Sequence, residues 1–211
     1  MPPDVLITIS GLVGSGKSTT ASKLQALATA RGRVAVCLRF QTLPCFGLFR
    51  SRAKAPGANA AGAQPPTGPV RGRGYRRTRL TAARCAVYGL RILSFRLYRL
   101  SWRDDQVRIL DRYFYDLFAH YTLRTRLERL YVGALRKLMP RPDLAILVSA
   151  SPETIAARRP AYAPEYVSEL SDSYRDIRQW FPELLELQTE RGHAALEQLE
   201  ADLLILLERR R

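Results

Sequence analysis

Five short runs of β-branched and aliphatic residues, separated by longer stretches with helical spacing, set the rhythm of this chain. The runs are Val5–Ser10, Val34–Phe40, Val107–Asp111, Leu144–Ser149 and Leu184–Gln188. Helical periodicity fills Lys17–Ala30, Thr78–Leu100, Phe114–Leu138, Pro152–Arg159, Pro164–Phe181 and Ala194–Glu208. Strands alternating with helices predict an α/β fold, a five-stranded and mostly parallel sheet covered by helices on both faces. Ligands of such sheets sit outside the carboxyl ends of the strands. A length of 211 residues with 46% apolar content fits a single domain over 1–211.

The turn after the first run carries the most specific chemistry. Gly11-Leu12-Val13-Gly14-Ser15-Gly16-Lys17-Ser18-Thr19 is a complete G-x-x-x-x-G-K-S phosphate-binding (Walker A) loop between a strand and a helix. Its glycines let backbone N–H groups turn inward around a polyphosphate, and the helix N-terminus beneath adds positive potential. Lys17 then reaches the β/γ-phosphates and Ser18 ligates Mg²⁺, so ATP and Mg²⁺ are the expected cofactors. A ligand-free glycine turn does not account for a Lys-Ser pair after the last glycine.

Charge and composition narrow the picture. No acid occurs from Val5 to Arg103, against eighteen Lys and Arg, and the whole chain has a net charge of +15. That field draws anionic ligands: nucleotides, anionic lipid or nucleic acid. Three cysteines, Cys37, Cys45 and Cys85, lack metal-ligand spacing and are expected to be buried free thiols. No run is long and apolar enough to span a bilayer, and Met1-Pro2-Pro3-Asp4 leaves no room for a signal peptide before the first strand, so a cytoplasmic protein is expected.

Residues Ser51–Gly74 are small, rich in Pro and Gly, and hold nothing large to bury, which predicts a flexible insert over 51–75. Arg71-Gly72-Arg73-Gly74 has the flavour of a nucleic-acid arm, but the run is short and Tyr75 is its one neighbouring aromatic. Nucleic acid is therefore disfavoured as a partner. In the helix that follows, Arg77, Arg84, Arg91 and Arg99 share a stripe. Ala82, Ala86, Val87, Leu90, Leu93, Leu97 and Leu100 gather opposite. The preferred reading packs the apolar face into the core and turns the arginines to a phosphate site. A weak contact of helix 78–100 with an anionic membrane surface stays open.

The third strand ends Ile109-Leu110-Asp111-Arg112-Tyr113. An Asp at a strand's carboxyl end beside a phosphate loop can hold Mg²⁺ through water, and a planar guanidinium beside it suits clamping an acceptor phosphate. The single asparagine, Asn59, excludes the Asn-Lys-x-Asp guanine reader of GTPases.

With these motifs the chain resembles the thymidylate kinase family, within the P-loop nucleoside monophosphate kinases. Asp111-Arg112-Tyr113 looks like the family's Asp-Arg-(Tyr/His/Phe) motif, and Leu38-Arg39-Phe40 resembles the arginine-bearing end of its second strand. Ala82-Ala83-Arg84 is similar to the Ala-x-Arg of its substrate-side helix. Pro142–Leu147, Ser151-Pro152-Glu153 and Arg158-Arg159 resemble its fourth strand and the start of its lid, expected over 152–175. Asp111-Arg112-Tyr113-Phe114-Tyr115-Asp116 looks more like a divergent branch. The resemblance implies phosphoryl transfer from ATP to a nucleoside monophosphate, dTMP first. It assigns Arg112, Arg39, Arg84 and Tyr113 to the acceptor, Asp111 and Ser18 to Mg²⁺, and Lys17 to the donor phosphates. It also calls for a mobile arginine at the transferring phosphoryl. Gly14 occupies the loop position where some members carry it, so Arg158 or Arg159 would supply it.

Departures concentrate where base and sugar would sit. Val13 stands at the family's carboxylate that holds the sugar hydroxyl, Leu80 aligns with the aromatic that stacks on thymine, and His120 with a tyrosine. These departures imply weak thymidine discrimination. They also keep open a kinase of the same fold acting on another phosphorylated or hydroxylated metabolite, such as a nucleotide-sugar or glycan precursor. A membrane- or nucleic-acid-associated nucleotide-binding protein without efficient transfer is the competing class, and a homodimer is compatible with each.

Overall fold

The computed structural model describes residues 4–49, 79–102, 106–160, 162 and 164–209. The insert expected over 51–75 lies outside the described residues.

Five parallel strands form one sheet in the order β2-β3-β1-β4-β5: β1 Val5–Gly11, β2 Val34–Arg39, β3 Gln106–Asp111, β4 Leu144–Ser149 and β5 Leu184–Gln188. Among the described residues seven α-helices connect or flank them: α1 Lys17–Ala30, α2 Ala82–Arg99, α3 Phe114–Phe118, α4 Arg126–Leu138, α5 Pro152–Arg158, α6 Pro164–Trp180 and α7 His193–Arg209. Strand β1 is central and wholly buried. Its alternate residues divide the core. Val5, Ile7 and Ile9 pack with Leu24 and Ala28 of α1 and Leu199 and Leu203 of α7. On the other face Leu6 joins Phe95, Phe114, Val132 and Tyr174. The chain moves from β1 to one side through β2 and β3, then to the other through β4. The crevice this leaves at the carboxyl end of β1 receives the phosphate loop.

Three expectations are corrected. The helical pattern over Phe114–Leu138 is two helices. Thr125 caps α4 as half of a capping box, in which Glu128 N–H donates to Thr125 Oγ1 at 3.2 Å and Thr125 N–H to Glu128 Oε2 at 2.9 Å. Glu128 is buried, and its other oxygen accepts from Leu80 N–H at 3.3 Å, tying α4 to the approach to α2. Those backbone hydrogen bonds, chiefly Thr125's, hold the Glu128 carboxyl below its usual range.

The cysteines are free, as expected, but only Cys85 is buried. Cys37 is exposed because β2 is the sheet edge, and Cys45 is half-buried.

The third correction is the orientation of α2. Its buried residues are Cys85, Ile92 and Phe95, while Leu90, Leu93, Leu97 and Leu100 are more than half exposed. Phe95 enters an aromatic cluster with Phe40, Tyr113 and Phe114 at ring-centroid distances of 5.3, 5.9 and 6.0 Å. That cluster needs a ring, and α2 turns its Phe side inward to supply it. No described helix is long and apolar enough to cross a membrane.

Candidate active site

Each glycine of the loop answers a local demand. Gly11 has φ +139°, and a Cβ there would stand 2.2 Å from the Val148 carbonyl oxygen, so the loop fits against β4 only without a side chain. Gly16 has φ +101° and caps α1 with no side-chain hydrogen bond; the first turn carries no acid. The N-terminal N–H groups of α1 are thus left for an anionic ligand rather than a cap. Ser15 is buried, its hydroxyl donating to the Leu12 carbonyl at 2.9 Å.

An open cleft of about 1020 Å³ lies above the loop. It brings together Gly14, Gly16, Lys17, Ser18 and Thr19 with Arg39, Asp111, Arg112, Arg158 and Arg159. Lys17 is almost buried, and its ammonium donates to the carbonyls of Gly11 (3.0 Å) and Leu12. Burial, aided by the nearby Arg112 and opposed by Asp116 and Asp111, lowers its pKa to about 8. A charged amine held in a dry pocket on weak carbonyl acceptors is poised for a better anionic partner.

Across the cleft, Arg39 Nε lies 3.9 Å from Asp111 Oδ2, whereas Asp111 Oδ1 is buried with no hydrogen-bond partner. A buried acceptor without a donor fits a carboxylate that takes water of a hydrated cation, and Ser18 lies exposed on the same cleft. The donor set, one hydroxyl and one carboxylate, suits Mg²⁺ shared with phosphates and water. Among the described residues no group of three or more His, Cys, Asp or Glu could hold a metal by itself.

Arg112 is the only non-glycine residue with positive φ (+67°) among the described residues. Such a conformation costs of the order of 1–3 kcal/mol and must be over-determined by its surroundings. Here its N–H donates to Ile9 O at 2.8 Å, and its guanidinium lies 4.0 Å from Asp116. Asp116, which the sequence reading did not single out as a site residue, anchors this corner. One oxygen accepts from Ser10 Oγ (2.7 Å) and Tyr113 N–H (2.9 Å), the other from Tyr174 Oη (2.6 Å). Three elements, β1, α3 and α6, thus meet on one buried carboxylate beneath the arginine. The signal was present: an Asp five residues after the motif Asp, in the first turn of a short helix.

Arg158 and Arg159 reach the loop from the end of α5. Arg158 donates to the Gly14 carbonyl at 3.2 Å, and the Arg159 stem packs 3.2 Å from where a Gly14 Cβ would stand. Glu190 braces the approach to α5, accepting from Ser151 N–H and Thr154 Oγ1, each at 2.7 Å. These hydrogen bonds pull its pKa to about 2.

Two residues expected on the acceptor side lie elsewhere. Tyr113 is core, 1% exposed, its hydroxyl donating to Pro140 O at 2.6 Å, because the left-handed Arg112 turns the chain inward there. Arg84 does not line the cleft but sits 5.6 Å over the Tyr121 ring, since the start of α2 faces that tyrosine. Leu80 is buried among core residues, and His120 is exposed away from the cleft lining. Val13 lines the cleft.

No family model matches the sequence, and no curated protein matches it. By structure the chain is similar to the thymidylate kinase of Ehrlichia chaffeensis. The TM-score is 0.55 at 15% identity, covering 95% of this chain and 98% of that one. It is also similar to the thymidylate kinase of Candida albicans, an enzyme of broad substrate specificity, with TM-score 0.53 at 17% identity, covering 99% and 93%. The fold is thymidylate kinase-like.

Proposed function

We propose that this protein is an ATP- and Mg²⁺-dependent kinase that transfers the γ-phosphoryl group to a small phosphorylated acceptor, a nucleoside monophosphate, with dTMP the first to test. One observation carries the reading. A phosphate loop with its lysine, and a strained Arg112 braced by a buried carboxylate, line one cleft together with Asp111. Two groups of phosphate-binding residues with a carboxylate in the same cleft suit transfer between two phosphorylated molecules.

Lys17 and the N-terminal N–H groups of α1 hold the donor triphosphate, and Arg112 with Arg39 holds the acceptor phosphate. An oxygen of that phosphate attacks the γ-phosphorus while the bond to the β,γ-bridging oxygen breaks, leaving ADP. Arg158, exposed and bound through one hydrogen bond to Gly14, is the group free to swing onto the transferring phosphoryl. Mg²⁺, held by Ser18 and, through water, by Asp111, would neutralise charge between the donor phosphates.

A second reading, a same-fold kinase for another phosphorylated metabolite such as a nucleotide-sugar or glycan precursor, draws on the acceptor side. Val13, not an acid, stands at the sugar position; Arg84, Leu80 and Tyr113 do not line the cleft. Acceptors then bind mainly through phosphate, which tolerates different bases. ADP release measured with ATP, Mg²⁺ and a panel of nucleoside monophosphates and sugar phosphates decides. Acceptor-dependent turnover with a nucleoside monophosphate supports the first reading, and turnover with sugar phosphates alone supports the second. ADP release independent of every acceptor removes both.

A further inference from the structure

The turn that follows β5 sits between the phosphate loop and the start of α5, and its neighbouring side chains face different ways. Thr189 faces the loop: its Cγ2 lies 3.2 Å from where a Gly16 Cβ would stand. With Leu187 and Gly192 it lines the cleft, and its hydroxyl donates to the Ser149 carbonyl at 3.3 Å. Glu190, the next residue, turns to α5 instead.

A single carboxylate oxygen of Glu190 gathers the start of that helix. Its Oε1 accepts from the Ser151 N–H and from Thr154 Oγ1, both at 2.7 Å. Ser151 is the N-cap: its hydroxyl accepts from the Thr154 N–H at 3.2 Å and donates to Thr154 Oγ1 at 3.1 Å. The cap is thus closed on one charged acceptor from a different part of the chain. Helix α5 has little else to hold it. It runs only from Pro152 to Arg158, and Ile155 is its one buried residue. One buried side chain cannot fix both the tilt and the rotation of a helix, so the Glu190 hydrogen bonds supply the second fixed point.

A single helical segment about 10 Å long moves as one piece, so the placement of its first turn sets that of its last. The last turn carries Arg158, which donates to the Gly14 carbonyl at 3.2 Å, and the Arg159 stem packs beside the same glycine. We propose that Glu190 is a positioning residue for Arg158. It ties the start of α5 to the turn that lines the nucleotide cleft, so the arginine at the other end reaches the phosphate loop in register with the donor. The inference rests on the assignment of Arg158 to the transferring phosphoryl. Glu190 acts through α5 and not by contact with either substrate.

A double-mutant cycle on the full chain tests this. Glu190→Ala should lower kcat about thirtyfold, as expected of a misplaced catalytic group, with KM for ATP changed less than about threefold. Glu190→Gln keeps an oxygen that can accept both hydrogen bonds and should hold kcat within about fivefold of wild type. Glu190→Ala added to Arg158→Ala should cost no further activity, because the group being positioned is gone. Losses that multiply in the double variant overturn the inference, as does a Gln variant no better than Ala or a loss that falls on KM for ATP. Arg158→Ala at wild-type kcat removes the assignment of Arg158, and this inference with it. Hydrogen exchange of the α5 amides supplies a readout that needs no transfer. Glu190→Ala should speed exchange over Thr154–Arg159 by about tenfold or more with the melting temperature nearly constant, and unchanged exchange overturns the inference. Faster α5 exchange in a protein whose wild type shows no acceptor-dependent ADP release would support the Glu190 anchor and remove the kinase reading instead.

Discussion

The guanidinium of Arg158 donates to the carbonyl oxygen of Gly14 at 3.2 Å, joining the end of α5 to the middle of the phosphate loop. The contact is exposed and neutral on the acceptor side, so breaking it costs little. A triphosphate seated in the loop offers the same arginine a stronger, charged partner. Arg158→Ala should therefore lower kcat by about a thousandfold while changing ATP affinity less than fivefold. Single-turnover and equilibrium binding measurements separate the two. If the loss falls on ATP affinity instead, Arg158 is a brace of the loop and not its mobile cation.

Lys17 gives a pH dependence with a definite sign. Its pKa falls from an ordinary 10.5 to about 8 in the unliganded fold, because burial disfavours the charge. Between those values the unfolded chain keeps a proton that the folded chain has lost, so this group's contribution stabilises the unliganded fold as pH rises through the window. Bound phosphates restore the charge. ATP binding at pH 9 should then take up close to one proton, and affinity should fall about tenfold per unit above pH 8. Titration calorimetry in buffers of different ionisation enthalpy reads the proton count; zero uptake would contradict this picture.

Asp116 holds three donors from three elements and carries Arg112 above it. Asp116→Ala strands Ser10, Tyr174 and the Tyr113 N–H in a dry interior, and should cost roughly 3 kcal/mol of stability. Asp116→Asn keeps most of the shape but presents an amide where a donor needs an acceptor. It should remain folded while KM for the acceptor rises at least tenfold, with KM for ATP nearly constant. Equal rises in both constants would show that Asp116 supports the whole cleft rather than the arginine.

Val13 lines the cleft with no polar atom to offer a sugar hydroxyl. Val13→Asp should raise kcat/KM for dTMP relative to other monophosphates by tenfold or more, about 1.4 kcal/mol. A wild-type protein already preferring dTMP a hundredfold would show that discrimination arises elsewhere.

Glu128 is remote from the cleft and tests the fold alone. Glu128→Ala removes the acceptor for Thr125 and Leu80 N–H groups and should cost about 1–3 kcal/mol, read as a lower melting temperature with ATP affinity preserved. An unchanged melting temperature would mean the α2–α4 junction is held by packing.

Much of this protein was legible along the chain because its signals are local. Five strands came from runs such as Val5–Ile9 and Ala145–Val148, whose continuous burial is what a parallel sheet covered on both faces requires. The loop from Gly11 to Thr19 was legible because its glycines and the Lys-Ser pair form a contiguous pattern at a strand-to-helix turn. Even the break between α3 and α4 is written in Thr125-x-x-Glu128, a capping box that interrupts the longer periodic pattern.

Tertiary structure decided whatever depended on a choice between comparable partners. Helix α2 has two apolar sides, and spacing alone cannot rank them. The aromatic cluster of Phe40, Tyr113 and Phe114 accepts the flat ring of Phe95, and that contact sets the leucines outward. Tyr113 follows a motif arginine and reads as a ligand contact, yet the left-handed turn at Arg112 sends it into the core. Asp116 gained its role only when Ser10, 106 residues earlier, and Tyr174, 58 residues later, arrived at the same carboxylate. A sequence records each group's capacity to bury or to hydrogen-bond; which capacity is used is settled by the groups the fold brings within 3 Å.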